Sequence, residues 1–132
     1  MDKVILLGRI LFGGYFIRSG INHFLNLEGM TGYTASKGIP LPEFAVIITG
    51  LMLLGGGISI ITGIYPKIGS AVLIAFLVIV AIIMHDFWSY EDQAARAGQF
   101  SRFLRNIAFS GALLMFFAIP EPWAFSLRIG KK

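Results

Sequence analysis

Residues 44–65 read FAVIITGLMLLGGGISIITGIY, with no ionisable side chain apart from Tyr65. A helix needs roughly 20 mostly apolar residues to cross a hydrocarbon core of ~30 Å. A helix with no polar face has no side to turn toward water. This stretch therefore reads as a transmembrane helix. Pro42 presets φ at its start, Glu43 suits the positive end of its dipole, and Gly63 can cap its far end.

Working outward, the short link Ile64-Tyr65-Pro66-Lys67 leads into a second apolar run, residues 67–88, uncharged from Ile68 to Met84. Two less regular runs flank this pair. Residues 4–25 are interrupted by Arg9 and Arg18, and residues 103–120 are free of charge only from Asn106 onward. The last run therefore relies on Arg102 and Arg105 snorkelling to the headgroups. Arg9 breaks the first run and no A-x-A-like site follows it, so that run reads as a span rather than a cleaved leader. The expected fold is an all-α integral membrane protein, a four-transmembrane-helix bundle forming one domain over residues 1–132. Its spans are placed at about 4–25, 44–65, 67–88 and 103–120, with an interfacial C-terminal tail at 121–132.

The connections are uneven. Asn26 to Pro42, punctuated by Gly29, Gly32, Gly38 and Pro40, reads as a long loop with room for one helical turn at Tyr33–Lys37. Its length suggests a lid or an interfacial segment. Ser89 to Phe100 reads as a polar loop, and Trp123 and Phe125 as anchors that lay the tail along the headgroups. Gly50, Gly55, Gly56, Gly57 and Gly69 are expected to let helix backbones approach closely.

Composition agrees with a lipid environment: 56% of the 132 residues are hydrophobic and 14% charged, where a soluble domain carries about a quarter charged. The absence of cysteine excludes thiol catalysis, disulfides and thiolate metal sites. The net charge of +4 is scattered along membrane boundaries, which is a poor match to nucleic-acid binding. With four spans, Lys3, Lys67, Arg128, Lys131 and Lys132 share one side with both termini, and Lys37, Arg96, Arg102 and Arg105 lie opposite. That bias favours cytoplasmic termini.

At about 100° per residue, Arg9, Gly13, Phe16, Gly20 and His23 form one stripe of the first helix. Arg18 and Asn22 fall on its other side. The up-and-down order brings Arg18, Asn22 and His23 to the same membrane face as Glu43, His85, Asp86, Arg105 and Asn106. Ionisable groups inside a membrane are costly and usually face a cavity or a partner. His85 with Asp86 suits a proton relay, and His23 a second acid–base group or ligand. Arg18, Asn22, Arg105 and Asn106 suit the oxygens of a quinone or an anion. Arg9, as the cation of the inward stripe, and Trp88, beside the relay, join this cofactor-binding set. No HxxH or HExxH spacing occurs, so a metal site is not expected. Haem through His23 and His85 is disfavoured, because it needs the two rings to face each other.

Several blocks together resemble the DoxX family of small bacterial membrane proteins. They are Arg9 with Phe16 and Gly20, Gly38-Ile39-Pro40-Leu41-Pro42, Gly55-Gly56, Gly63, His85-Asp86-Phe87-Trp88, and Phe103-Leu104-Arg105-Asn106-Ile107-Ala108 with Gly111. The resemblance runs from Leu7 to Ala118. It implies a multi-pass, four-helix protein of the bacterial inner membrane with cytoplasmic termini, in a family that includes the membrane subunit of a thiosulfate:quinone oxidoreductase. The chain departs from the family pattern at Asn22-His23, where relatives often carry a lysine, and at Ser126-Leu127-Arg128, where Ser-Leu-Asp is expected.

The expected function is a quinone-linked oxidoreductase component, with a polar pocket at the extracytoplasmic face and quinone as cofactor. One alternative is a non-catalytic accessory subunit of a larger respiratory or redox membrane complex; another is a small-molecule or ion transporter. Expected partners are the lipid bilayer and a larger redox complex or soluble subunit, with a homo-oligomer left open.

Overall fold

The computed structural model describes residues 1–127, and these form five helices and no strand. Helix α1 spans Asp2–Leu25, α2 Leu27–Ser36, α3 Pro42–Thr62, α4 Pro66–Met84 and α5 Gln93–Ala118, with a 3-10 turn at Phe87–Ser89 before α5. Pro42 and Pro66 occupy the first turns of α3 and α4, and Gly63 closes α3 in the left-handed region at φ 71°. Each boundary has a local cause: proline enters where an N–H is dispensable, and glycine leaves where φ is positive.

Three segments are long and apolar enough to cross a membrane, namely Asp2–Leu25, Pro42–Thr62 and Pro66–Ser89. Large apolar side chains such as Leu7, Leu11, Leu51, Ile58 and Ile82 stand exposed on their outer faces. An outer surface of that kind belongs in lipid, so the protein's environment is a bilayer.

The α1–α3 pair is packed at backbone distance. A Cβ on Gly13 would lie 2.8 Å from the carbonyl oxygen of Gly57, and one on Gly57 would lie 2.7 Å from that of Gly13. Along the same seam, a Cβ on Gly20 would meet the Gly50 oxygen at 2.9 Å. Gly56 and Gly69 similarly admit Leu73 and Ser59 between α3 and α4. Gly55 departs from the expectation: nothing lies within 4 Å of the place its Cβ would take, so it faces outward. Where α1 meets α5, large rings fill the gap. Phe12 and Tyr15 set their rings 5.3 and 5.1 Å from that of Phe109, and Phe12 stacks 5.6 Å from Phe116. The buried core runs through Phe16, Leu53, Ile60, Leu73, Leu77 and Leu113 to Trp123.

Four features depart from the sequence reading. The Asn26–Pro42 connection contains the ten-residue helix α2, rather than one turn. The third span stops being helical at Met84, before His85 and Asp86. The Ser89–Phe100 segment is not all loop: α5 starts at Gln93, because the Asp92 carboxylate accepts from the Ala95 N–H at 2.8 Å and supplies the N-cap. The tail folds back under the bundle, so Trp123 packs inside rather than standing out as an anchor. The Leu127 N–H donates to the Thr62 carbonyl at 2.8 Å, and Trp123 is buried with its ring 5.7 Å from Phe116. Arg128, Lys131 and Lys132, which weighed in the charge count, lie outside the described residues.

Candidate functional site

A cavity of about 430 Å³ occupies the end of the bundle where α1 and α4 finish and α3 begins. Its walls are mostly apolar, including Leu53, Phe76, Ile79, Val80 and Ile83, and Tyr15 and Phe16 close its inner end. Six of the residues expected at one membrane face line it: Arg18, Asn22, His23, His85, Arg105 and Asn106. They come from α1, α5 and the chain just after α4, so the up-and-down topology is what gathers them. Arg18 and Arg105 are exposed and mark the rim, while His23 and Asn106 are buried deeper. A mostly apolar pocket of this size with a few convergent polar groups has the form of a small-molecule site.

Backbone carbonyls fix the orientation of the buried polar groups. His23 Nδ1 lies 2.9 Å from the Ser19 carbonyl oxygen, an obligate acceptor, so Nδ1 carries the proton and Nε2 keeps its lone pair in the neutral ring. Asn106 donates from Nδ2 to the Leu77 carbonyl at 3.2 Å, which fixes its amide orientation. His85 Nδ1 meets Gln99 Oε1 at 2.9 Å, and Gln99 Nε2 reaches the Tyr90 hydroxyl at 3.4 Å. The expected His85–Asp86 relay is therefore not a direct contact. Asp86 turns away to Lys37, with Nζ and Oδ1 2.5 Å apart, and His85 takes a carboxamide instead.

Helix α2 covers the cavity, contributing Met30, Tyr33 and Thr34 to its wall. Two anchors hold it there. The Tyr33 hydroxyl donates to the Met84 carbonyl at 2.8 Å, and Lys37, just past the helix, pairs with Asp86 and donates to the Tyr90 hydroxyl at 3.2 Å. Burial works to lower the pKa of Lys37, but the hydrogen bonds to Asp86 and Tyr90 outweigh it and raise the value, so the ammonium stays charged. Burial raises the Tyr33 phenol, which stays neutral and able to donate.

Lys37, Tyr33, Tyr90 and Gln99 were not among the residues singled out from sequence. Their partners lie far along the chain, so spacing gave no signal. Tyr33 was visible only as part of an expected helical turn.

Two nominated residues lie elsewhere. Trp88 is 51% exposed and sets its ring against Phe87 and Phe103, away from the cavity. Arg9 is fully buried at the opposite end of the bundle. Its Nε donates to the Ile60 carbonyl at 2.9 Å, one terminal nitrogen donates to Ile61 O at 2.6 Å, and the other donates to Ala124 O. The Trp123 ring lies 5.2 Å from its guanidinium carbon. Ile60 and Ile61 belong to the last turn of α3, whose carbonyls have no partner within the helix. Arg9 thus caps α3 and ties the returning tail to it. Among the described residues the ion pair is Lys37–Asp86.

No group of three or more potential metal ligands gathers among the described residues. No solved structure matches the chain. The protein described as inner membrane protein YphA of Escherichia coli (strain K12) is 30% identical over 124 residues, covering 94% of this chain and 87% of that protein. The family model for DoxX matches residues 4–86, which is more than half of the chain but stops short of the Phe103–Ala108 block. On both comparisons, the chain belongs to the DoxX family.

Proposed function

We propose that the protein is a quinone-linked oxidoreductase component of the bacterial inner membrane, and that its cavity holds a quinone head group or a comparably small redox ligand. One observation carries this reading: Arg18, Asn22, His23, His85, Arg105 and Asn106 converge on a single, mostly apolar cavity beneath α2. The apolar wall suits a ring. The rim arginines suit its oxygens, and the imidazoles are the groups that exchange protons near neutral pH. Residue Gln99 orients the His85 ring, and the Lys37–Asp86 pair holds the cover in place.

In this reading α5 is the fourth span. Its 26 residues reach about 39 Å at 1.5 Å per residue, enough to cross the core. Arg102 and Arg105 stand about 14 and 18 Å along it and snorkel back toward the headgroups. Both termini are cytoplasmic, and the cavity opens on the extracytoplasmic side. The inner-membrane description of the E. coli relative supports the location.

Protein purified in mild detergent and extracted with organic solvent is expected to yield about one quinone per chain. His85→Ala and Arg105→Ala are expected to lower that yield at least ~10-fold while the protein stays folded, since loss of one charge-assisted or oriented hydrogen bond is worth about 1.5–3 kcal/mol. An empty bundle that co-purifies with a larger redox complex would instead favour an accessory subunit.

A further inference from the structure

The polar side chains inside the cavity divide sharply by hydrogen-bonding role. His23 gives its Nδ1 hydrogen to Ser19 O, and Thr49 gives its hydroxyl hydrogen to Ala45 O at 2.7 Å. Tyr33 gives its phenolic hydrogen to Met84 O, and Asn106 gives one amide hydrogen to Leu77 O. All four side chains line the cavity. Each is bound to a backbone carbonyl, which can only accept, so none of these assignments can be reversed by a ring flip, an amide flip or a hydroxyl rotation. What remains for a ligand is the His23 Nε2 lone pair, the Asn106 Oδ1 and the Thr49 Oγ1. None of these atoms is sealed away without a partner.

Donors are fewer within. Asn106 keeps one amide hydrogen, and the hydroxyls of Ser19 and Thr34 serve either role. The remaining donors, Arg18, Arg105 and the Asn22 amide, stand exposed at the rim, and His85 meets Gln99 through Nδ1.

We infer that the cavity selects the reduced form of its ligand: an aromatic diol, such as a benzoquinol, binds with one hydroxyl donating into the acceptor-lined interior and the other oxygen at the arginine rim. This rests on the quinone-site reading above and adds a direction to it. An oxidised quinone carries two carbonyl oxygens and no donor, so its inner oxygen faces lone pairs. An unmade hydrogen bond on a buried polar group costs more than the made bond contributes, so the cavity holds the quinone more weakly than the quinol.

The test is equilibrium dialysis of the purified full-length protein under anaerobic conditions, at about pH 8, where an ordinary imidazole is neutral. The probes are a decyl-chain benzoquinol and the corresponding quinone. The quinol is expected to bind at least ~10-fold more tightly, which raises the midpoint potential of the bound two-electron couple by about 30 mV. Thr49→Val keeps the side-chain shape and removes one acceptor, and is expected to weaken quinol binding several-fold while leaving quinone binding unchanged. Equal affinity for the two forms, or tighter binding of the quinone, overturns the inference and leaves the quinone-site reading standing. Parallel loss of both forms in Thr49→Val also overturns it, by showing a packing role only. Binding of neither form to the wild type overturns the quinone-site reading together with the inference.

Discussion

Replacing Arg9 with alanine is expected to destabilise the protein by about 3–5 kcal/mol, a large part of the 5–15 kcal/mol that holds a typical fold together. Three charge-assisted hydrogen bonds disappear at once, each worth about 1.5–3 kcal/mol and not simply additive. The carbonyls of Ile60 and Ile61 lose the partner that stands in for a missing helical turn. The returning tail loses its tie at Ala124, and Trp123 loses the cation beside its ring. Arg9→Lys offers one compact charge in place of a planar fork and is expected to recover only part of the loss. Thermal or denaturant unfolding in detergent measures both. Because Arg9 sits at the other end of the bundle from the cavity, the folded fraction of Arg9→Lys is expected to bind ligand as the wild type does. Full stability with lost ligand binding would instead make Arg9 a cofactor residue, as the sequence suggested.

The second large effect is expected at Gly57. An alanine methyl there would sit 2.7 Å from the Gly13 oxygen, 2.8 Å from Ile17 Cγ1 and 3.1 Å from the Ile17 nitrogen. Two of those three atoms are backbone, so rotamer changes cannot relieve the clash and α1 must move away from α3. Overpacking of this kind costs about 1–3 kcal/mol, and the rigid neighbours place Gly57→Ala at the upper end. Both helices wall the cavity, so ligand affinity is expected to fall with stability. Gly55→Ala, on the same helix but facing open space, is the matched control and is expected to be neutral or slightly stabilising, since alanine is the better helix former. Equal losses in the two variants would refute close α1–α3 packing.

These two residues show what could be read in advance and what could not. The inward stripe of Arg9, Gly13, Phe16, Gly20 and His23 followed from helical period alone, and those are the buried residues of α1. Arg9's partners did not follow, because they are main-chain carbonyls and a tail that doubles back, neither of which leaves a trace in side-chain spacing. The grouping of Arg18, Asn22 and His23 with His85, Arg105 and Asn106 came from counting alternating helices, which fixes the end of the bundle each residue reaches. Which group bonds which did not: His85 and Asp86 are adjacent in sequence, yet the turn that ends α4 sends one to Gln99 and the other to Lys37.

Helix α2 was hidden by its glycines. Gly29 and Gly32 read as breaks, but the segment is held by Tyr33 and by packing on α3, so tertiary contact overrides weak local propensity. The start of α5 was legible in principle. Asp92 followed by Gln-Ala-Ala-Arg-Ala is an N-cap before strong helix formers, a signal outweighed by the segment's polarity.

The central proposal, that the α2-covered cavity is a quinone site, is tested most directly by photolabelling the purified protein with an azidoquinone and mapping the adducts by mass spectrometry. Adducts are expected on peptides from α2 and from residues 79–85, suppressed by excess unlabelled ligand and by Arg105→Ala. Adducts spread over the lipid-facing surfaces and unaffected by Arg105→Ala would contradict it.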